Sequence, residues 1–169
     1  MSAKPTAYAV VESSADGLFP TTAVPSVDEL LKLDNQLCFP LYACAKEVVR
    51  RYTPFLDELG LTYTQYLVMM ALWEHGTLSV TQLGELVYLD SGTLTPLLKK
   101  LEAKGLVTRM RSTTDERRLD IGPTDEGQAL KQRAASVPLA MGKCAGLDLD
   151  EAVQLSTLLH KVLANVRAS

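Results

Sequence analysis

Residues 89–107 read LDSGTLTPLLKKLEAKGLV and decide the fold. Leucines at 94, 97, 98 and 101 recur at intervals of three and four, the spacing of one face of an amphipathic helix. Asp90 or Ser91 suits the N-cap of this helix, and Gly105 suits its C-terminal end. The stretch therefore predicts a single helix whose leucine face packs against a core.

The face opposite these leucines is small at its start and basic further along. A helix that enters a DNA major groove needs this shape, with hydroxyls and cations directed at bases and phosphates. By itself, a surface helix with a solvated basic face fits the pattern equally well. Pro96 is tolerated if it lies near the first turn. The candidate DNA-contacting residues here are Ser91, Gly92, Thr93, Thr95, Pro96, Lys99 and Lys100.

A short helix precedes this one closely enough to form a helix-turn-helix. Ser79 is a suitable N-cap for a helix over about residues 81–87. Downstream, residues 106–111 and 117–121 form two strand-like runs around a polar loop, which predicts a β-hairpin. A helix-turn-helix followed by such a hairpin is the arrangement of a winged helix.

The predicted hairpin, or wing, is basic. Arg111, Arg117 and Arg118 flank its tip, where they can reach a minor groove beside the helix. We expect Asp115 to pair with Arg117 and so to shape the tip. Residues 91–118 hold seven cations and three anions, although the whole chain has a net charge of -3. This uneven distribution favours DNA binding by one surface of an acidic protein.

Further helices are expected on both sides of the winged helix. A long first helix ends near Leu59 and a second covers about residues 66–75. Two more run from Thr124 towards Cys144 and over residues 149–166. The first and last helices carry more apolar surface than the winged helix can bury, so we expect a homodimer. The predicted fold class is mainly α with a small β-hairpin wing.

The chain is predicted to have an arm and one domain. Residues 1–26 mix Ala, Pro, Ser and Thr without periodicity, which is typical of a flexible N-terminal arm. In the domain, residues 27–169, a capping box from Ser26 to Glu29 opens a short helical segment, and Asp34 offers a second helix start. Its parts are the dimerisation helices over 27–59 and 124–168 and the winged helix over 62–123.

The composition indicates a soluble, cytoplasmic protein. Of the 169 residues, 47% are hydrophobic, which is enough for a core without disulfides or metals. No apolar run reaches the roughly 20 residues that cross a bilayer, and no secretory signal begins the chain. The three cysteines lack CxxC spacing, so we expect no disulfide framework and no metal site. We also expect no cofactor and, without an apolar span, no membrane partner.

Cys38 is the candidate reactive cysteine. Pro40 favours the first turn of a helix and disfavours α geometry at Phe39, so Cys38 is expected near a helix N-terminus. A continuous but kinked helix is the competing picture. A helix N-terminus favours the thiolate, the form of cysteine that attacks a peroxide. The apolar neighbours Leu37, Phe39 and Leu41 favour an organic peroxide over a more polar one.

Two tyrosines share the helix face of Cys38, because Tyr42 follows it by four residues and Tyr52 by fourteen. A straight helix rises roughly 21 Å over fourteen residues, so Tyr52 can reach only the Cys38 of a second chain. Tyr63 lies in the turn after this helix, so contact with Cys38 of its own chain is restricted less strictly than for Tyr52. Cys44 points away from this face and is expected to be a small buried residue.

Several motifs resemble the MarR family of winged-helix regulators. They are the run over residues 89–107, Asp115-x-Arg117 and Thr124-x-x-Gly127. Residues 33–43, LDNQLCFPLYA, are similar to the start of the organic hydroperoxide resistance regulators, the OhrR group. The resemblance covers about residues 30–168.

The resemblance implies a homodimeric repressor that binds double-stranded DNA at a pseudo-palindromic operator and controls a gene for a thiol peroxidase. It implies that organic hydroperoxides act as inducers by oxidising Cys38, whose sulfur receives hydrogen bonds from tyrosines of the partner subunit at the positions of Tyr52 and Tyr63. Cys144 lies where the two-cysteine members of the group carry a resolving cysteine.

Two other functions stay open from the sequence. One is a MarR-type regulator released by a small aromatic ligand in the dimer cleft. The other is a thiol peroxidase that uses Cys38 and Cys144, but such an enzyme would leave the basic wing without a role. We therefore expect a regulator and not an enzyme.

Overall fold

The computed structural model describes residues 26–111 and 118–168. The predicted N-terminal arm, apart from Ser26, lies outside the described residues, as do Asp115 and Arg117 of the wing tip. The pairing of Asp115 with Arg117 therefore stays a prediction.

The chain divides into two compact units, one ending at Lys46 and one beginning at Glu47. The first unit contains helix α1 (Val27–Leu30), a 3₁₀ turn (Leu33–Asn35) and the start of helix α2 (Cys38–Asp57). None of the described residues of this unit is buried. The predicted division into an arm and one domain stays a prediction.

The start of the first unit differs in detail from the sequence prediction. The Ser26 hydroxyl caps α1 by accepting a hydrogen bond from the Glu29 amide at 3.2 Å. The Glu29 carboxylate, however, pairs with Lys32, so the predicted reciprocal box is wrong. The long first helix begins at Cys38 and not at Asp34, which lies in the 3₁₀ turn.

Three helices of the second unit form the helix-turn-helix and its support. They are α3 (Tyr63–His75), α4 (Val80–Val87) and α5 (Ser91–Ala103). Thr62 and Ser79 cap α3 and α4, each in a capping box with the Gln three residues later. The predicted cap at Ser79 is confirmed.

A small antiparallel sheet lies beside α5, and its strand order is β1-β3-β2. Its strands are β1 (Leu78–Ser79), β2 (Val107–Arg111) and β3 (Leu119–Pro123). In the hairpin, Arg109 lies opposite Ile121 and Arg111 opposite Leu119, which confirms the predicted wing strands. The sequence did not predict β1, because two residues show no periodicity and only the pairing of Leu78 with Ile121 makes them a strand.

Three helices complete the second unit, α6 (Asp125–Ala134), α7 (Ser136–Ala145) and α8 (Leu149–Ala168). The sequence predicted one helix from Thr124 to Cys144, but the structure interrupts it at Ala135. Pro138 lies in the first turn of α7 and has no amide hydrogen to donate to the carbonyl of Ala134. The proline therefore favours a new helix start here.

The core forms where α3, α4 and α5 meet the sheet. All four predicted leucines of α5 are buried. Trp73 is half-buried against this core, and its indole nitrogen donates a hydrogen bond to the Gly127 carbonyl at 2.8 Å. The largest fully buried side chains are Leu56, Val68, Met69, Leu72, Leu83, Leu94, Leu98, Leu101 and Ile121.

Helix α8 buries none of its residues. Its apolar side chains Leu155, Leu158, Leu159, Leu163 and Val166 are all exposed. Within the described ranges, no helix combines the length and the hydropathy needed to cross a membrane. The fold is mainly helical with a small winged-helix sheet, as the sequence predicted.

Candidate nucleic-acid interface and thiol site

Helix α5 turns its predicted DNA face towards solvent. Its leucines are buried, whereas the candidate contact residues are exposed. These exposed residues are Ser91, Gly92, Thr93, Thr95, Pro96, Lys99 and Lys100. Neither lysine pairs with a carboxylate in the described part of the chain. Both ammonium groups are therefore available to phosphates.

Pro96 lies in the second turn of α5, further from its start than the sequence suggested. Proline has no N–H, so the Gly92 carbonyl loses its helical donor. The helix nevertheless continues from Ser91 to Ala103. Because Gly92 is exposed, solvent can satisfy its carbonyl.

Asp90 fixes the start of α5. Its carboxylate accepts hydrogen bonds from the Thr93 amide at 2.9 Å and from the Thr93 hydroxyl at 2.8 Å. These bonds hold the pKa of Asp90 below its usual value, and the bond from the hydroxyl has the larger effect. The Thr95 hydroxyl donates to the Ser91 carbonyl at 2.7 Å. The hydroxyls of the first turns are therefore oriented before any DNA is bound.

The turn between α4 and α5 is tight. A Cβ atom on Gly84 would lie 2.6 Å from the carbonyl oxygen of Leu89, so a larger residue would push the two helices apart. Tyr88 has a φ of 56°, in the left-handed region, and its ring lies 4.9 Å from the guanidinium of Arg167. This contact joins the end of α8 to the turn before α5.

Two arginines lie at the base of the wing. Arg118 donates to Asp120 at 3.1 Å and to Gln82 at 3.4 Å. Arg111 is exposed at the end of β2, and Arg117 lies outside the described residues. Sequence reasoning missed Asp120 and Gln82, because neither residue is basic. In the structure they set the direction of the Arg118 side chain.

Cys38 is the first residue of α2, and it is exposed. Pro40 lies in the first turn, so the prediction of a helix N-terminus is confirmed and the alternative of a continuous kinked helix is wrong. Leu37 and Phe39 beside it are 42% and 38% exposed. The thiol is therefore accessible, and it lies at a helix start where the Phe39 and Leu41 amides donate to the carbonyls of Gln36 and Leu37 at 3.2 and 3.5 Å.

The next turns of α2 are also open to solvent. Tyr42 is exposed, and the Lys46 ammonium lies 5.9 Å from the centroid of its ring. Cys44 is exposed too, so the expectation of a buried thiol is wrong. The reason is that α2 buries only Leu56 within the described chain.

Two of the predicted site tyrosines meet in the second unit. The ring centroids of Tyr52 and Tyr63 are 5.0 Å apart, and those of Tyr52 and Tyr66 are 6.0 Å apart. Burial raises the pKa of Tyr52 above its usual value, and the neighbouring Tyr63 raises it further. Burial also raises the pKa of Tyr66, and Tyr52 and Tyr63 raise it further. The Tyr66 ring belongs to the core.

The Cys144 side chain lines a groove between α2 and α7. The groove has a volume of about 830 Å³, and its lining includes Arg50, Arg51, Tyr52 and Met141. The Nε atom of Arg51 lies 3.5 Å from the Cys144 sulfur. The sequence missed Arg51, because it is 93 residues from Cys144 and no linear spacing connects them. In residues 26–111 and 118–168, no cluster of His, Cys, Asp or Glu could hold a metal ion.

The sequence of this chain is similar to those of known transcriptional regulators. Residues 61–119 match the profile of the MarR family. The organic hydroperoxide resistance transcriptional regulator of Bacillus subtilis (strain 168) is 49% identical over 136 residues, which is 79% of this chain and 90% of that protein.

Two solved structures of one regulator, AbfR of Staphylococcus epidermidis, are also similar. Reduced AbfR bound to DNA has a TM-score of 0.71 and 34% identity, covering 83% of this chain and 96% of AbfR. Disulfide-formed AbfR has a TM-score of 0.57 and 35% identity, covering 83% of this chain and 94% of AbfR. With such identity over most of each chain, this protein belongs to the MarR family of DNA-binding transcriptional regulators.

Proposed function

We propose that this chain is a redox-sensing repressor that binds an inverted-repeat operator as a homodimer and leaves it when an organic hydroperoxide oxidises Cys38. The observation that carries the proposal is the exposed Cys38 at the first position of α2. The name of the Bacillus subtilis relative supports the class of oxidant, and the disulfide-formed state of AbfR supports thiol chemistry.

The first chemical step is an attack by the Cys38 thiolate on one peroxide oxygen. The O–O bond breaks, the sulfur becomes a sulfenic acid, and the other oxygen leaves and takes up a proton as an alcohol. The thiol of Cys144 in the partner subunit then attacks the oxidised sulfur, and a disulfide forms with loss of water. Tyr42, Tyr52 and Tyr63 are proposed to surround the reactive sulfur in the dimer.

The exposed face of α5 is proposed to enter the major groove. Small residues at its start allow close approach, and Lys99 and Lys100 meet phosphates. Arg111, Arg117 and Arg118 of the wing are proposed to contact the adjacent minor groove, with Asp120 holding Arg118 in place. Asp115 is proposed to shape the wing tip.

The homodimer is supported by apolar surface that the described chain leaves open. Leu158 and Val166 of α8 are 59% and 70% exposed, and Leu31 of the first unit is 75% exposed. A helix such as α8, with this much exposed apolar surface, marks an interface more often than it faces water. Oxidation is proposed to change the spacing of the two winged helices, which must match half-sites about one DNA turn apart.

Operator binding with and without oxidant tests this proposal. We expect the wild-type protein to leave an operator selected from random duplexes after treatment with cumene hydroperoxide, and to return after dithiothreitol. Cys38→Ser keeps the side-chain volume without the redox chemistry, so it should stay bound, while Cys44→Ser should respond like wild type. Release of Cys38→Ser by the oxidant would contradict the proposal.

A further inference from the structure

Arg51 is the residue of the groove that contacts the Cys144 sulfur. Its Nε atom lies 3.5 Å from Sγ, although 93 residues separate the two positions. The contact therefore depends on the fold of the second unit, which places this part of α2 and α7 on the same groove. Arg51 is exposed, so its guanidinium does not serve the core.

The neighbouring arginine has a different partner. Arg50 lines the same groove, but its Nη2 atom pairs with the Glu47 carboxylate at 2.7 Å. Helix α2 thus presents two adjacent cations, one matched to a carboxylate and one to a thiol. Arg50 is a matched control for the charge of Arg51.

We infer that Arg51 is a positioning residue for the resolving step, holding the Cys144 sulfur in the groove and balancing the negative charge that it carries during attack. The inference rests on the proposed function, in which Cys144 resolves oxidised Cys38. An N–H donor on a guanidinium binds an anionic acceptor more strongly than a neutral one. The contact therefore fixes the position of the sulfur beside a cationic donor.

The assisted step is balanced without any further reagent. The Cys144 sulfur gives up its proton and attacks the sulfur of the Cys38 sulfenic acid. The S–O bond breaks, the departing hydroxide takes up a proton as water, and the disulfide forms. The oxidising equivalents come from the organic hydroperoxide that made the sulfenic acid. Arg51 has no part in that first oxidation, so its loss should slow the second step alone.

Rapid-quench kinetics separate the two steps. The full-length Cys44→Ser protein receives one equivalent of cumene hydroperoxide, dimedone traps the sulfenic acid, and non-reducing gels follow the disulfide. We expect Arg51→Gln to form sulfenic acid at the parent rate and the disulfide about tenfold more slowly, the size of effect of one charged hydrogen bond. Arg50→Gln should match the parent in both steps. Arg51→Lys keeps a cationic donor and should recover most of the rate.

A second readout follows from the longer-lived sulfenic acid. With excess hydroperoxide, Arg51→Gln should accumulate more sulfinic acid on Cys38 than the parent, as measured by mass spectrometry. A parent that forms sulfenic acid but no disulfide through Cys144 would contradict the proposed function itself. If the parent forms that disulfide, equal rates in Arg51→Gln, an equal slowing in Arg50→Gln, or an Arg51→Lys protein as slow as Arg51→Gln would each overturn the inference alone.

Discussion

Gly127 shows how one residue fixes the junction between the wing and the C-terminal helices. A Cβ atom at this position would lie 2.0 Å from the Leu106 carbonyl oxygen. The same carbonyl accepts a hydrogen bond from the Thr124 amide at 3.1 Å, and the Thr124 hydroxyl accepts one from the Gly127 amide at 2.9 Å. The Thr124-x-x-Gly127 motif thus anchors the start of α6 beside β2.

We expect Gly127→Ala to lower the free energy of unfolding by about 3 kcal/mol, since the added methyl forces α6 away from Leu106. Gly142→Ala is the control, because a Cβ there meets no atom within 4 Å and the helical site should gain roughly 0.5–1 kcal/mol. Urea unfolding followed by circular dichroism measures both. Equal stability of Gly127→Ala and wild type would mean that the close approach to Leu106 is wrong.

Alkaline pH should weaken the fold through the tyrosine cluster. The pKa values of Tyr52 and Tyr66 are raised, so the folded chain holds these protons more tightly than the unfolded chain. Their contribution to stability is complete below pH of about 10 and is lost as the pH rises through the raised pKa values. Unfolding curves from pH 8 to 11 should show a shallower decline for Tyr66→Phe, and an unchanged one for the exposed Tyr42→Phe. Identical slopes in all three proteins would contradict this assignment.

At the scale of elements, α5 combines a buried leucine face with a basic exposed face. Both faces follow from helical periodicity, so the sequence alone predicted which side of α5 meets the core. The caps at Thr62, Ser79 and Thr124 were predictable for the same reason, because they depend on residues a few positions apart. The strand β1 was not predictable, since it exists only through its pairing with β3.

Lys99 tests the exposed face of α5. If its ammonium meets a phosphate, Lys99→Ala should weaken operator binding and lower the slope of log K against log salt by about one unit. Lys143→Ala removes the same charge from α7, outside the winged helix, and should leave the slope unchanged. Fluorescence anisotropy over a salt series gives both values. An unchanged slope in Lys99→Ala would place the DNA on another surface.

At the scale of the molecule, apolar side chains are exposed to solvent in two regions of the described chain. These regions are the first unit and α8. The sequence predicted that such surface needs a partner, because its stripes exceed what one winged helix can cover. It could not predict that Cys44 is exposed or that Arg51 meets Cys144, because both depend on packing between distant segments. Local periodicity therefore predicted the exposed face of α5 more completely than the surroundings of the cysteines.

Oxidation should link two chains through Cys38 of one subunit and Cys144 of the other. A sulfenic acid condenses readily with a nearby thiol, which protects it from irreversible oxidation. Forming the disulfide requires the two Cα atoms to come within about 7 Å, so any larger starting distance must be closed by a shift or partial unwinding of α2 at Cys38. Non-reducing gels after one equivalent of organic hydroperoxide should show a dithiothreitol-sensitive dimer in wild type and Cys44→Ser but not in Cys144→Ser. A dimer that persists in Cys144→Ser, or is missing in Cys44→Ser, would mean that another cysteine resolves the sulfenic acid.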